Sequence, residues 1–245
     1  MTKRKQLELD KQNGALTMKI IGHQKISFID YPDKICTVLF LAGCNFRCSY
    51  CHNGPIVKGE GNDFSEEIIF NFLKKRRKFL DGVCISGGEP TLNEEIYELI
   101  DRIRQEGLLV KLDTNGTNPK LLKRLVDNAM LDYIAMDVKA PLNKYKQTVK
   151  AEVDTKDIEE SIDIIMNSSV EYEFRTTVCK EILSGEDILS ISELIKGSQR
   201  YYLQNFNDRE TVLNGRGLLH PYEIDILVEI IKKIESNFGI CKLRG

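Results

Sequence analysis

Three cysteines, Cys44, Cys48 and Cys51, stand within eight residues in the stretch AGCNFRCSYCHNG, residues 42–54. Their spacing is Cys-x-x-x-Cys-x-x-Cys, with no fourth cysteine close behind. Structural zinc is closed by four ligands, usually as two separated pairs. Three thiolates alone suit an iron–sulfur cluster with one iron left open. His52 is the other candidate zinc ligand, although a residue directly after Cys51 has difficulty turning back to the same ion. Cys36, Cys84, Cys179 and Cys241 occur singly and read as small buried hydrophobes.

Four further stretches carry residues able to hold a charged ligand. SGGEP, residues 86–90, is a tight strand-to-helix turn whose glycines also allow close approach to the backbone. Its Glu89 is placed to accept from an ammonium. In LDTNG, residues 112–116, Asn-Gly marks a turn and Asp113 is a candidate cap. AMDVKA places Asp137 and Lys139 two apart, so both project to one face of an extended chain. Two charges inside a barrel are costly unless paired or bound to a charged ligand. FRTTV supplies Arg175, suited to bidentate carboxylate recognition. Asp30, beside Pro32, reads as a turn residue. His23 and His220 read as structural, and the basic run at residues 74–78 as a solvated helix end.

The elements that must position these residues follow a two-beat rhythm. ICTVLFLAG, GVCISGG, LLVKLDTNG, DYIAMDVKA, EYEFRTTV and RYYLQNF are short β-rich runs bounded by turn residues. A helical pattern follows each. In the first, Ser65 is the expected cap and Ile68, Ile69, Phe72 and Leu73 the expected buried face. In the second, the stripe is Ile96, Leu99, Ile100 and Ile103. Six strands alternating with six helices imply a parallel sheet with right-handed crossovers. An eight-fold barrel needs roughly 250 residues, so an incomplete (β/α)6 barrel fits the 245 present better. Two more strands, one on either side of that core, are possible at TMKIIGHQKISFI and GICKLRG. Residues 1–17 are expected to be a flexible tail, and 18–245 a single domain. In such folds the chemistry sits at the carboxyl ends of the strands, where the residues singled out above lie.

Composition narrows the class. A hydrophobic fraction of 42% and a charged fraction of 29% are those of a globular protein. A formal net charge of −2 argues against nucleic acid as the main partner. No apolar run approaches a membrane span, and the polar N-terminus lacks a signal-peptide core. Clustered rather than framework-spaced cysteines point to a cytoplasmic metal or redox protein.

The run Cys44-x-x-x-Cys48-x-Tyr50-Cys51, aromatic residue included, resembles the signature of the radical S-adenosylmethionine enzymes. The resemblance extends from about Gly22 to Gly245 and is closest to the activating enzymes of glycyl-radical enzymes. QKISFIDYPDKICTVLFLAGCNFRCSYCHN is most similar to the group activating anaerobic ribonucleoside-triphosphate reductase, with pyruvate formate-lyase activating enzymes close behind. The resemblance implies a radical SAM-type partial barrel holding one 4Fe–4S cluster on the three cysteines. It implies reductive cleavage of S-adenosylmethionine to methionine and a 5′-deoxyadenosyl radical, which takes a hydrogen atom from a partner's backbone glycine. It implies that Gly87, Gly88 and Glu89 hold the methionine amino group, and that Asp113, Thr114, Asn115, Asp137, Lys139 and Arg175 line the cofactor pocket. Tyr50 and His52 would shape that pocket, and Asp30 would meet the incoming peptide. A monovalent cation near Asp113, Thr114 and Asp137, and a flavodoxin- or ferredoxin-like electron donor, are implied as well.

Asp33 departs from the pattern, since related enzymes usually carry glycine there. The 35 residues between Cys51 and Gly87 contain only Cys84, which leaves room for one cluster. The competing expectations are activation of pyruvate formate-lyase, a radical reaction on a small metabolite, and a non-catalytic iron–sulfur regulator.

Overall fold

Near-continuous apolar runs buried on both faces make the central strands, and amphipathic runs make the helices between them. The computed structural model describes residues 18–244, so the tail expected over residues 1–17 lies outside the described residues. The six expected strands are β2 (Cys36–Leu41), β3 (Gly82–Gly87), β4 (Leu109–Thr114), β5 (Tyr133–Asp137), β6 (Glu171–Val178) and β7 (Arg200–Asn205). They are parallel neighbours in chain order. Both possible outer strands join the same sheet. β1 (Ile20–Ser27) runs antiparallel to β2, and β8 (Ile240–Arg244) lies parallel beside β7. The sheet therefore has eight strands in the order β1 to β8, with no β1–β8 pairing among the described residues. It is an open, partial barrel.

The six expected helices are α2 (Glu66–Arg76), α3 (Ile96–Gln105), α4 (Pro119–Asp127), α6 (Thr155–Met166), α7 (Gly185–Leu194) and α8 (Ile224–Ile234). Two short ones, α1 (Gly54–Val57) and α5 (Tyr145–Val149), were not legible as periodic patterns. The α3 stripe of Ile96, Leu99, Ile100 and Ile103 is fully buried. Each such side chain contributes roughly 1.5–3 kcal/mol by leaving water. Ser65 caps α2 by accepting from the Ile68 N–H at 3.4 Å. The α2 face is rotated from expectation. Ile69, Phe70 and Leu73 are buried, whereas Ile68 is 56% exposed, because the arc entering the core begins one residue later. No described helix is long and apolar enough to cross a membrane.

Parallel strands put the carboxyl ends of β2–β7 on one rim. The β1–β2 connection lies at the other end of β2, since Ser27 pairs with Cys36. There Tyr31 is buried against Tyr133, with ring centroids 5.8 Å apart. Ser27 donates to Asp30 at 2.5 Å. Asp33 has φ +57°, the left-handed region that glycine enters most easily. The backbone thus keeps the turn that glycine would favour, with an aspartate in its place.

Asp33→Gly is accordingly expected to change stability by less than about 1 kcal/mol, while Asp33→Val costs about 1–2 kcal/mol. Urea unfolding of the two variants checks this; equal tolerance of glycine and valine would contradict the left-handed assignment.

Candidate cofactor site

A cavity of about 450 Å³ opens on the rim formed by the strand carboxyl ends. It is lined by Cys44, Cys48, Tyr50, Cys51 and His52 from the loop after β2, and by Gly87, Gly88 and Glu89 from the turn after β3. Asp113, Thr114 and Asn115 follow from β4, Asp137 and Lys139 from β5, and Arg175 from β6. Asp30 lines it as well, so the cavity extends down the barrel to the β1–β2 connection. Every residue singled out for the site in the sequence is thus brought to one cavity.

The cysteine loop is held by backbone contacts before any ligand is considered. Gly88 N–H donates to Leu41 O at 2.9 Å and Glu89 N–H to Gly43 O at 2.8 Å. A Cβ on Gly88 would lie 1.7 Å from Gly43 O, and one on Gly87, whose φ is +120°, 2.4 Å from Leu41 N. The two glycines therefore admit the cysteine loop's own backbone. Asn53 Nδ2 donates to Gly87 O at 3.0 Å, and Asn115 Nδ2 to Asn45 Oδ1 at 2.9 Å. From the chain after β7, Leu213 N–H donates to Cys51 O at 2.8 Å and Asn214 N–H to Ser49 O at 3.2 Å. His52 Nε2 donates to Asn207 O at 2.6 Å and its ring stacks on Phe206 at 5.5 Å. That nitrogen is committed to the loop, in keeping with a shaping role.

Glu89 is buried and already has four donors. Its Oε1 accepts from Thr91 N–H at 3.0 Å, Thr91 Oγ1 at 2.6 Å and Thr114 Oγ1 at 2.8 Å; Oε2 accepts from Asn115 N–H at 2.6 Å. Burial pushes its carboxyl up, against the pull of those bonds. Only Oε2 keeps capacity for an ammonium, so the carboxylate also serves to join the β3 and β4 turns.

The charged residues form one network. Arg175 donates through Nε to Asp137 Oδ1 at 2.9 Å and through Nη1 to Asp113 Oδ2 at 3.4 Å. Lys139 Nζ holds Asp137 Oδ2 at 3.0 Å, Ser86 Oγ donates to Asp113 Oδ2 at 3.0 Å, and Lys111 Nζ pairs with Asp113 Oδ1. Burial alone would raise both acids, but Arg175 outweighs it, with Lys139 at Asp137 and Lys111 at Asp113. Both carboxyls stay below their ordinary range. Burial would likewise neutralise Lys139, yet Asp137 and the nearby Cys48 keep its pKa high. Lys111 and Glu173 escaped the sequence reading. Each lies two residues before a cavity residue, Asp113 or Arg175, so strand alternation puts it on the same inward face, one step deeper in the barrel.

The donor set fits a cluster. The three thiols share the cavity wall, and burial pushes them up, Cys44 to about 12, so the positive charge of bound iron is what would hold them as thiolates. Tyr50 is 3% exposed and its hydroxyl makes no well-formed hydrogen bond, having only the Cys48 sulfur beside it, so a buried polar group stands next to a proposed cluster ligand. Among the described residues no three His, Cys, Asp or Glu converge on a single ion, an arrangement that thiols serving three separate irons do not require.

The model of the Radical SAM superfamily matches residues 38–195. A protein of Methanocaldococcus jannaschii, provisionally named a glycyl-radical enzyme activating enzyme, is 37% identical over 234 residues, covering 92% of this chain and 97% of that protein. The pyruvate formate-lyase-activating enzyme of Listeria monocytogenes is 31% identical over 128 residues, covering 46% of this chain and 51% of that one. Among solved structures, Streptococcus suis SuiB bound to S-adenosylmethionine aligns with a TM-score of 0.63 at 13% identity. That alignment covers 99% of this chain and 54% of SuiB, so the chain spans about half of SuiB's length.

The charge network has a pH signature. Folded-state pKa values below the unfolded value of about 3.9 make Asp113 and Asp137 stabilising above that pH, and the contribution is lost as pH falls through the folded values. Urea stability should therefore drop steeply below about pH 4, and Asp137→Asn should flatten that slope. An unchanged slope in the variant would contradict the pairing.

Proposed function

Because the chain belongs to the Radical SAM superfamily, and within it to the activating enzymes of glycyl-radical enzymes, we propose that it generates a glycyl radical on anaerobic ribonucleoside-triphosphate reductase. The radical chemistry is carried by the single cavity joining the three cysteines, the strand-end charges and Asp30, and the choice of partner is supported by the resemblance of QKISFIDYPDKICTVLFLAGCNFRCSYCHN to the group activating that reductase. When bound, a 4Fe–4S cluster on Cys44, Cys48 and Cys51 supplies the electron for reductive cleavage of S-adenosylmethionine.

The chain's own residues bind, orient and exclude water. Arg175 offers a planar fork to the methionine carboxylate, and Glu89 with the Gly87–Gly88 carbonyls faces the amino group. Asp113, Thr114, Asn115, Asp137 and Lys139 wall the pocket with paired, preorganised charge, so binding requires little reorganisation. Tyr50 and His52 close it beside the cysteines. Asp30, at the far end of the cavity, contacts the entering peptide, and the open barrel leaves a side through which a glycine-bearing loop can reach it. With cluster and cofactor bound, the chemistry they would supply at this place is transfer of one hydrogen atom from the partner's glycine Cα to the 5′ carbon released by cleavage, which would leave 5′-deoxyadenosine and a glycyl radical.

This reading places the protein in the cytoplasm with a flavodoxin- or ferredoxin-like electron donor. It leaves out the monovalent cation expected at Asp113, Thr114 and Asp137. Both carboxylates already hold Arg175 together with Lys111 or Lys139, and the Thr114 hydroxyl donates to Glu89. The second reading is pyruvate formate-lyase activation, favoured by the Listeria relative. A radical reaction on a small metabolite would leave the opening toward Asp30 unused.

After anaerobic reconstitution with iron and sulfide, the reduced protein should form 5′-deoxyadenosine from S-adenosylmethionine, and Cys48→Ala should lose at least about 99% of it. With purified anaerobic ribonucleotide reductase present, electron paramagnetic resonance should detect a glycyl radical. A radical on pyruvate formate-lyase instead would transfer the assignment to the second reading. A radical on neither would overturn the glycyl-radical assignment.

A further inference from the structure

Lys111, Glu173 and Arg244 form charged contacts beneath the cavity without lining it. Glu173 is 1% exposed and lies two residues before Arg175 on β6, so both project to the same face. Its Oε1 stands 4.0 Å from Arg175 Nη1. Arg175 therefore has three carboxylates within reach, of which Asp113 at 3.4 Å and Asp137 at 2.9 Å line the cavity and Glu173 does not.

Glu173 is saturated from the other side. Arg244 donates to it through Nη1 at 2.8 Å and Nη2 at 2.9 Å, and Tyr133 through its hydroxyl at 3.0 Å. The Arg244 guanidinium also covers the Tyr202 ring, 3.3 Å from its centroid, which fixes the fork in place. A bidentate arginine is the best partner a buried carboxylate can have. Without it, Glu173 would be left buried with one phenol and an arginine 4.0 Å away. An uncompensated buried charge is strongly unfavourable, so the carboxylate would draw Arg175 down the strand. The contact to Asp113, the longer of Arg175's two, would be the first to break.

We propose that Arg244 is a positioning residue for the cofactor site: by saturating Glu173 it leaves Arg175 to Asp113, Asp137 and the S-adenosylmethionine carboxylate. β8, outside the six-unit core, thereby becomes part of the site's construction. The inference rests on the reading of Arg175 as a cofactor contact.

The test is a double-mutant cycle on the full chain with its cluster reconstituted: Arg244→Met, Glu173→Gln and the two combined. S-adenosylmethionine affinity is measured by equilibrium dialysis without reductant, so that no turnover occurs, and thermal unfolding is followed in parallel. Arg244→Met is expected to weaken binding about tenfold, and adding Glu173→Gln to bring it back to within about threefold of wild type, even where the melting temperature stays low. Arg244→Lys, which keeps the charge and loses the fork, should fall between them and serves as the single variant if Arg244→Met does not accumulate. Unchanged affinity in the arginine variant, or additive losses in the double variant, would overturn the proposal and reduce Arg244 to a strand-docking residue. Failure at the level of the underlying reading looks different: Arg175→Met would then bind the cofactor as tightly as wild type.

Discussion

Charge inside a barrel has to be matched charge for charge, and that constraint shapes most of what surrounds the cavity. Asp30, Glu89, Asp113, Asp137, Lys139, Arg175 and Arg209 all line it, and the four that form the strand-end network, Asp113, Asp137, Lys139 and Arg175, are two of each sign. Arg175 bridges the two acids, and each acid has a lysine on its other oxygen. Such a network is expensive to bury, and although breaking it by acid is destabilising, it is no more stable than a well-packed apolar core of the same volume. It makes sense as a preorganised environment for a ligand that brings its own ammonium, carboxylate and sulfonium charges. The same logic extends below the floor, where Glu173 is matched by Arg244 so that Arg175 is not diverted.

The second constraint is steric. The cysteine loop and the Gly-Gly-Glu turn approach so closely that a single methyl group on Gly88 would overlap Gly43 O. Because Glu89 continues from those glycines into the Thr114–Asn115 turn, one contact line runs from the loop that would hold the cluster to the β4 strand end. Loop position and pocket shape are thus set together.

Much of this was legible in the residues. The β-rich runs gave the strands, the fully buried α3 stripe followed from 3.6-residue spacing, and Asp137 with Lys139 announced themselves as an internal pair. What was hidden has a common physical cause. Glu173 in EYEFRTTV shares a face with Arg175, but its partner Arg244 is 71 residues away, so the pairing could not be read from the strand alone. β8 has no fully buried position, with Ile240 and Lys242 exposed, so GICKLRG was legible only as a possible strand. Ile68 and Phe70 exchange roles because periodicity fixes the width of a face more firmly than its phase. Asp33 shows the opposite case: the residue departs from glycine while the backbone keeps glycine's conformation.

On this account three thiols hold a cluster whose remaining iron is open to the cofactor. Mössbauer spectroscopy of the iron-57-reconstituted protein tests it most directly, before and after addition of S-adenosylmethionine. About one quarter of the iron signal should shift on addition while the rest stays in place, as expected for one open site among four irons. Iron signals wholly indifferent to S-adenosylmethionine would contradict it.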